Sequence, residues 1–239
     1  MKRHSEEEEE KGFTIPLMGA NFTIEFGGEV PRVYGSIPKS EDILRKWVDS
    51  KGPIPEESLE EKIEGIGIAQ EPGDDADEIV ESRSCGFRSV TKDGVRVLAM
   101  RDFQVKACIN HAATALGLTV SHRGLKAILR SSFQIRPQFI PFMRDGKPIS
   151  IPDGEEDFIG HIVDKAGRRS ILKRCDTIEG SQLTFDCLWV GNKLTAPVLR
   201  DIIRYAGQFQ GLGSQRRFEA GKFNLVAYSE HENPPIPWD

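Results

Sequence analysis

The sequence predicts an α+β protein whose core runs β-α-β-β-α-β. Three observations carry this. Apolar residues repeat with period two at 21–26 and 183–190, the mark of a half-buried strand. They repeat at 3–4 spacing at 101–116 and 198–206, the mark of an amphipathic helix. Helix-like and strand-like segments also alternate along one chain of 239 residues, a length that suits a single large domain or two small ones.

Each element has a local reason. Asn21-Phe22-Thr23-Ile24-Glu25-Phe26 alternates polar and apolar and stops at Gly27-Gly28. Ser40-Glu41-Asp42 is a capping sequence for a short helix through Trp47 and Val48. Residues 51–77 combine Pro53, Pro55 and Pro72 with Gly65, Gly67, Gly73 and many acids. They predict an excursion from the core with one short helix near 56–63. Residues 95–99 form a strand or extended lead-in to a helix over 101–116, where Phe103, Ala107, Ile109, Ala112, Ala113 and Leu116 recur and Gly117 stops the helix. Residues 125–129 predict a helical turn. Residues 132–142 alternate through Phe133, Ile135, Phe139 and Phe142, but Pro137 and Pro141 confine them to an edge strand or extended arm.

Residues 159–190 predict a hairpin turning at 164–167, with strands at 169–178 and 183–190 parted by Glu179-Gly180. Leu183, Phe185, Cys187 and Trp189 share one face of the second strand. Thr195 at the N-cap and Pro197 in the first turn open a helix with the stripe Val198, Leu199, Ile202, Ile203 and Ala206, closed by Gly207. Residues 223–228 are the last strand. The order is that of a ferredoxin-like (RRM-like) fold, with a large acidic insertion at about 29–90 after the first strand. We therefore expect one domain over 13–228. A flexible acidic tail at 1–12 contains the self-repelling run Glu6 to Glu10, and a proline-rich tail occupies 229–239.

Composition narrows the function classes. With 38% hydrophobic and 29% charged residues, the chain reads as a soluble globular protein. No stretch reaches the roughly 18–20 apolar residues of a membrane span, so no membrane partner is expected. Residues 1–12 lack the apolar segment of a secretory signal, and a cytoplasmic location is expected. Cys85, Cys108, Cys175 and Cys187 form no CxxC pair or Cys/His cluster, and read as reduced packing residues. Charge is uneven: residues 1–80 hold 9 basic and 20 acidic side chains, residues 81–239 hold 23 and 17. A basic C-terminal part is what attracts phosphates.

Between the last helix and the last strand stands Gly211-Leu212-Gly213-Ser214-Gln215-Arg216-Arg217-Phe218-Glu219-Ala220-Gly221-Lys222-Phe223. Glycines permit positive-φ turns and close backbone approach, consecutive N–H groups can form an anion nest, and Arg216, Arg217 and Lys222 supply cations. The structural alternative is a tight turn whose arginines sit in water. It is not a Walker loop, because no GKS or GKT follows, and it leads into a strand rather than a helix, unlike the dinucleotide fingerprint.

This segment resembles the C-terminal glycine-rich loop of the RAMP superfamily, the ferredoxin-like RNA-binding proteins of CRISPR effector complexes. It also resembles the C-terminal end of a set of uncharacterised tailed-phage proteins, where a helix like 199–207 leads to a similar loop. Residues 97–115 resemble the RAMP passage from a strand end into the first core helix, although Met100-Arg101 stands where that family has a proline. Lys222 stands where many members have a second glycine. The resemblance is loose over 90–228 and specific over 199–226.

It implies a non-catalytic protein that binds single-stranded nucleic acid, RNA in preference to DNA, and that self-associates side by side along it. Phage encoding would put the protein in the cytoplasm of a bacterial host. The backbone would lie on Gly211, Gly213, Arg216, Arg217, Gly221 and Lys222, with further cations at Arg168, Arg169, Lys173 and Arg174. Phe133, Phe139 and Phe142 are available for base stacking, with hydrophobic core the favoured reading of the three.

Two other classes compete. A phage structural or protein-interaction role would place Arg216 and Arg217 in structural ion pairs. A metal-independent ribonuclease would use a histidine as general acid/base, with His111 and His122 near the first core helix as candidates. His4, His161 and His231 complete the set. No cofactor or metal is expected. The carboxylate groups at 74–78 and 153–157 lie in Pro/Gly-rich surroundings that suit solvated loops.

Overall fold

A computed structural model describes residues 17–39, 84–92, 94–118, 124–164, 167–190, 193–216 and 219–231, with backbone alone for Pro38, 159–164 and 167–172. The helices expected at 40–48 and 56–63, most of the acidic excursion, and the two tails apart from 229–231 lie outside the described residues.

The first strand, β1 (Leu17–Phe26), alternates as expected: Phe22, Ile24 and Phe26 are buried, while Asn21, Thr23 and Glu25 face outward. It pairs antiparallel with β13 (Gln182–Val190) on one side and β14 (Phe223–His231) on the other. On its far side β13 pairs with β7 (Phe133–Arg136) and, at Gln182, with β9 (Met143–Arg144), which in turn pairs with β10 (Lys147–Pro148). Helices α1 (Asp102–Ala115) and α3 (Ala196–Tyr205) bury Val105, Cys108, Ile109, Ala112 and Ala113, and Leu199, Ile202 and Ile203, in the same core as this sheet. A single helical turn, α2 (Leu125–Ala127), continues as a π-helical turn Ile128–Ser132 into β7. Trp189, Phe22 and Phe185 are wholly or almost wholly buried, and each contributes about 2–3 kcal/mol. The arrangement is α+β, mostly antiparallel, and compatible with a ferredoxin-like fold.

Residues 154–164 and 167–179 pair antiparallel as the two arms of the hairpin predicted to turn at 164–167, but 169–178 and 183–190 do not share a sheet. Residues 169–178 lie in β12 (Gly167–Glu179), which belongs to a second sheet with β11 (Gly154–Asp164), β2 (Arg32–Tyr34), β3 (Ile37–Pro38) and β4 (Cys85–Gly86). β7 takes its place beside β13. The cause is the turn at Gly180 (φ +49°). The Gly180 N–H bonds the Pro31 carbonyl at 3.0 Å, and the Ser181 carbonyl accepts from the Phe26 N–H at 2.8 Å. The turn is tied to the β1–β2 connection, so the chain leaves one sheet and enters the other there.

Strands β3 and β4 flank residues 40–83 and pair with each other, and the Lys39 N–H bonds the Ser84 carbonyl at 3.0 Å. The chain leaves and returns at one place. A third sheet contains β5 (Arg88–Lys92), β6 (Val95–Arg101) and β8 (Phe139–Pro141), with β6 in the middle. β6 runs directly into α1.

Candidate nucleic-acid interface

The glycine-rich loop follows a π-helical turn, Ala206–Gln210. Its N–H groups are largely spent inside the protein. Gly211 donates to Ala206, Leu212 to Gly221 (2.8 Å), Ser214 to Tyr34 (3.1 Å), and Gly221 to Arg32 (2.9 Å). Ser214 Oγ donates to the Gly35 carbonyl at 2.7 Å. The backbone that approaches these glycines is therefore the chain's own strand β2. A Cβ on Gly213 (φ +78°) would lie 2.6 Å from the Tyr34 carbonyl oxygen, and one on Gly221 (φ +70°) would lie 1.8 Å from that of Leu212. These two positions require glycine to seat the loop on β2.

A loop held this firmly presents its side chains from a fixed base. Arg216 is exposed and forms no ion pair among the described residues. Arg217 lies outside the described residues. Lys222 is mostly covered, with its ammonium 3.6 Å from Glu219. Gly211 is buried, and its carbonyl accepts from Cys108 Sγ. Burial pushes the Cys108 thiol up to about 12, despite the charges of Arg216 and Lys222 nearby.

The hairpin cations have different surroundings. Arg174 pairs with Asp157, its direct cross-strand neighbour, at 2.9 Å. Lys173 is half-buried beside the cysteines at the loop's underside. Arg168 and Arg169 are in register with Val163 and Ile162, but their side chains lie outside the described residues. The other basic groups near the hairpin's base are also paired. Arg32 meets Glu156 and Glu179, Lys39 meets Glu155 and the buried Asp176, and Arg144 meets Asp153. Burial raises the Asp176 carboxyl to about 6 in spite of Lys39. The 153–157 carboxylates thus serve ion pairs, and no metal-binding cluster occurs among the described residues.

All four cysteines are free and buried. Cys85 and Cys175 are direct partners in β4 and β12. Ser214 Oγ and Gln215 Nε2 point at the Cys175 sulfur from 3.8 and 3.9 Å. The neighbouring thiols split: Cys175 is drawn down to about 6, chiefly by Cys85, whose own thiol is pushed up. This pair seats the loop on the second sheet.

Of the aromatic candidates, Phe133 and Phe142 are core residues, 1% and 0% exposed, and cannot stack on a base. Phe139 is half-buried with two arginines over its ring: Arg88 at 4.5 Å and Arg101 at 5.4 Å from the centroid. Sequence reading missed these arginines. A small cleft runs from Arg88 to the loop, lined among others by Tyr34, Ser36, Gly86, Gln104 and Gly213. Gln104, in the first turn of α1, fixes its floor by donating to Ser36 Oγ at 2.8 Å.

His111 stands on the exposed side of α1, and His122 lies outside the described residues. His231 meets Asp186 at 3.0 Å, and Asn21 donates to the same carboxylate.

The sequence matches no protein-family profile and no curated protein. Solved structures similar to this chain include three CRISPR complexes. One is a Type IV-B CRISPR complex, at 8% identity over 92% of this chain and 95% of that one, TM-score 0.44. Another is a Type III-B Cmr-beta complex bound to cognate target RNA, at 12% identity over 90% and 60%, TM-score 0.45. The third is a CRISPR RNA-guided surveillance complex, at 10% identity over 92% and 72%, TM-score 0.37. What this chain binds is argued from the chemistry of its own cleft.

Proposed function

We propose that this protein is a non-catalytic, RAMP-like binder of single-stranded nucleic acid, RNA in preference to DNA, that holds phosphates beside the glycine-rich loop. The observation that carries the reading is Arg216, a cation on a rigid loop with no carboxylate partner among the described residues. The rival interaction-protein reading expects that arginine in a structural ion pair. In the proposed reading the glycines work indirectly. Gly211, Gly213 and Gly221 fix the loop on β2, and Arg216 and Arg217 supply the phosphate contacts. Lys222, Lys173 and the hairpin arginines 168 and 169 extend the positive field. One domain spans 13–228, and copies of the chain line up along one strand.

The test is a fluorescence-anisotropy titration with labelled single-stranded RNA and DNA at low and near-physiological salt, for wild type and Arg216→Ala. We expect salt-dependent binding that the substitution weakens. Absence of binding to either polymer by the folded protein at low salt overturns the reading. Intact RNA on a gel after incubation is the result expected of a binder. Cleavage that persists in chelator favours the histidine ribonuclease instead. Light scattering with and without oligonucleotide checks self-association.

A further inference from the structure

Buried positive charge ordinarily has an anion beside it, because a guanidinium loses more by leaving water than an aromatic face returns. Arg88 breaks this rule. It is 6% exposed on β5, and its Nε has no hydrogen-bond partner. Burial and the nearby charge of Arg101 draw it down to about 10. Arg101 closes β6, and its Nε is also buried and unpartnered.

Strand register brings them together. Arg88 lies opposite Ala99, Arg101 is two residues further along β6 on the same face, and Phe139 lies opposite Arg101. The Arg101 guanidinium stands 5.1 Å from the ring of Phe103, which is 54% exposed. No ion pair to either arginine occurs among the described residues, and Asp102, next in sequence, forms none with them. Two like charges therefore share one aromatic ring with no counter-charge among the described residues, and Arg88 also lines a cleft that reaches Gly213.

We infer that Arg88 and Arg101 form a subsite for one phosphate of a nucleotide whose base stacks on the open face of Phe103. A phosphate is the anion that two adjacent guanidiniums can share through charge-assisted hydrogen bonds, and an exposed phenylalanine beside it offers a base a stacking surface. This deepens the nucleic-acid reading but does not depend on Arg216.

The test titrates uridine 5′-monophosphate, uridine and inorganic phosphate, each to millimolar concentration, against wild type, Arg88→Gln/Arg101→Gln, Phe103→Ala and Arg144→Gln, following thermal stabilisation. The mononucleotide should stabilise wild type more than phosphate or uridine does. The double substitution should weaken its binding by about tenfold or more, and Phe103→Ala should weaken it by about tenfold while sparing phosphate. Arg144→Gln, at an arginine already paired with Asp153, should leave it unchanged. Circular dichroism shows whether the double variant folds, and Phe103→Ala, a surface change, tests the stacking if it does not. Equal effects of phosphate and mononucleotide, or no loss in either variant, overturn the subsite. RNA binding that depends on Arg216 but ignores Arg88, Arg101 and Phe103 overturns the subsite and leaves the loop reading standing. Mononucleotide binding without RNA binding does the reverse.

Discussion

Two groups of cations lie on this molecule, and they are treated differently. At the base of the β11–β12 hairpin, Arg32, Lys39, Arg144 and Arg174 each meet at least one carboxylate. In the second group, Arg88, Arg101 and Arg216 meet none among the described residues. Scarcity of acids is not the reason, since the chain holds 37 Asp and Glu against 32 Lys and Arg. The paired set ties strands to one another and is structural. The unpaired set leaves its charge available to something outside the fold.

The largest effect should come from the loop that supports the second set. Gly221→Ala forces a Cβ into the Leu212 carbonyl at a left-handed position. It should cost roughly 3 kcal/mol, read from the urea midpoint, and carry RNA binding away with it. Next, Arg88→Met removes a buried unpaired charge at similar volume. It should raise stability by about 1 kcal/mol while lowering nucleotide affinity, and a fall in stability would move Arg88 into the structural set. Arg144→Gln should do the opposite, losing about 0.5 kcal/mol with oligonucleotide affinity unchanged.

Acid sharpens the same contrast. Hydrogen bonds from Arg144 hold the Asp153 carboxyl below its ordinary value of 3.8. A carboxylate depressed in the folded state stabilises the protein above the unfolded value, and that contribution is lost as pH falls through the folded one. Thermal midpoints should therefore drop below about pH 4, and less steeply in Arg144→Gln than in wild type. The smallest effect is in salt dependence: Arg216→Ala should reduce the slope of log affinity against log salt by about 0.7, one single-strand phosphate contact.

Much of the frame could be read from sequence because it is local. Period-two burial in β1, the apolar stripe of α3, and the position of the glycine-rich loop each depend on residues within a few positions. What escaped is what long-range pairing makes. Arg174 looked available until the register set Asp157 opposite it. Residues 169–178 looked like a core strand until the Gly180 turn, tied to Pro31 and Phe26, sent them to another sheet. Arg88, Arg101 and Phe139 are far apart in sequence and meet only because β5, β6 and β8 form a sheet. A period-two reading of 88–92 against 95–101 would have put Arg88 and Arg101 on one face, but nothing local marks Phe139 as their neighbour.

Ligand is expected to run from Phe103 and Arg101 past Arg88 and Gly213, which line one small cleft, to Arg216. Photocrosslinking a 4-thiouridine-containing single-stranded RNA, followed by peptide mapping, tests it directly. Crosslinks at Phe103, Phe139 and residues 213–216 are the result predicted here. Crosslinks confined to the outer face of the main sheet, at Asn21, Thr184, Asp186 and Ser229, would contradict it.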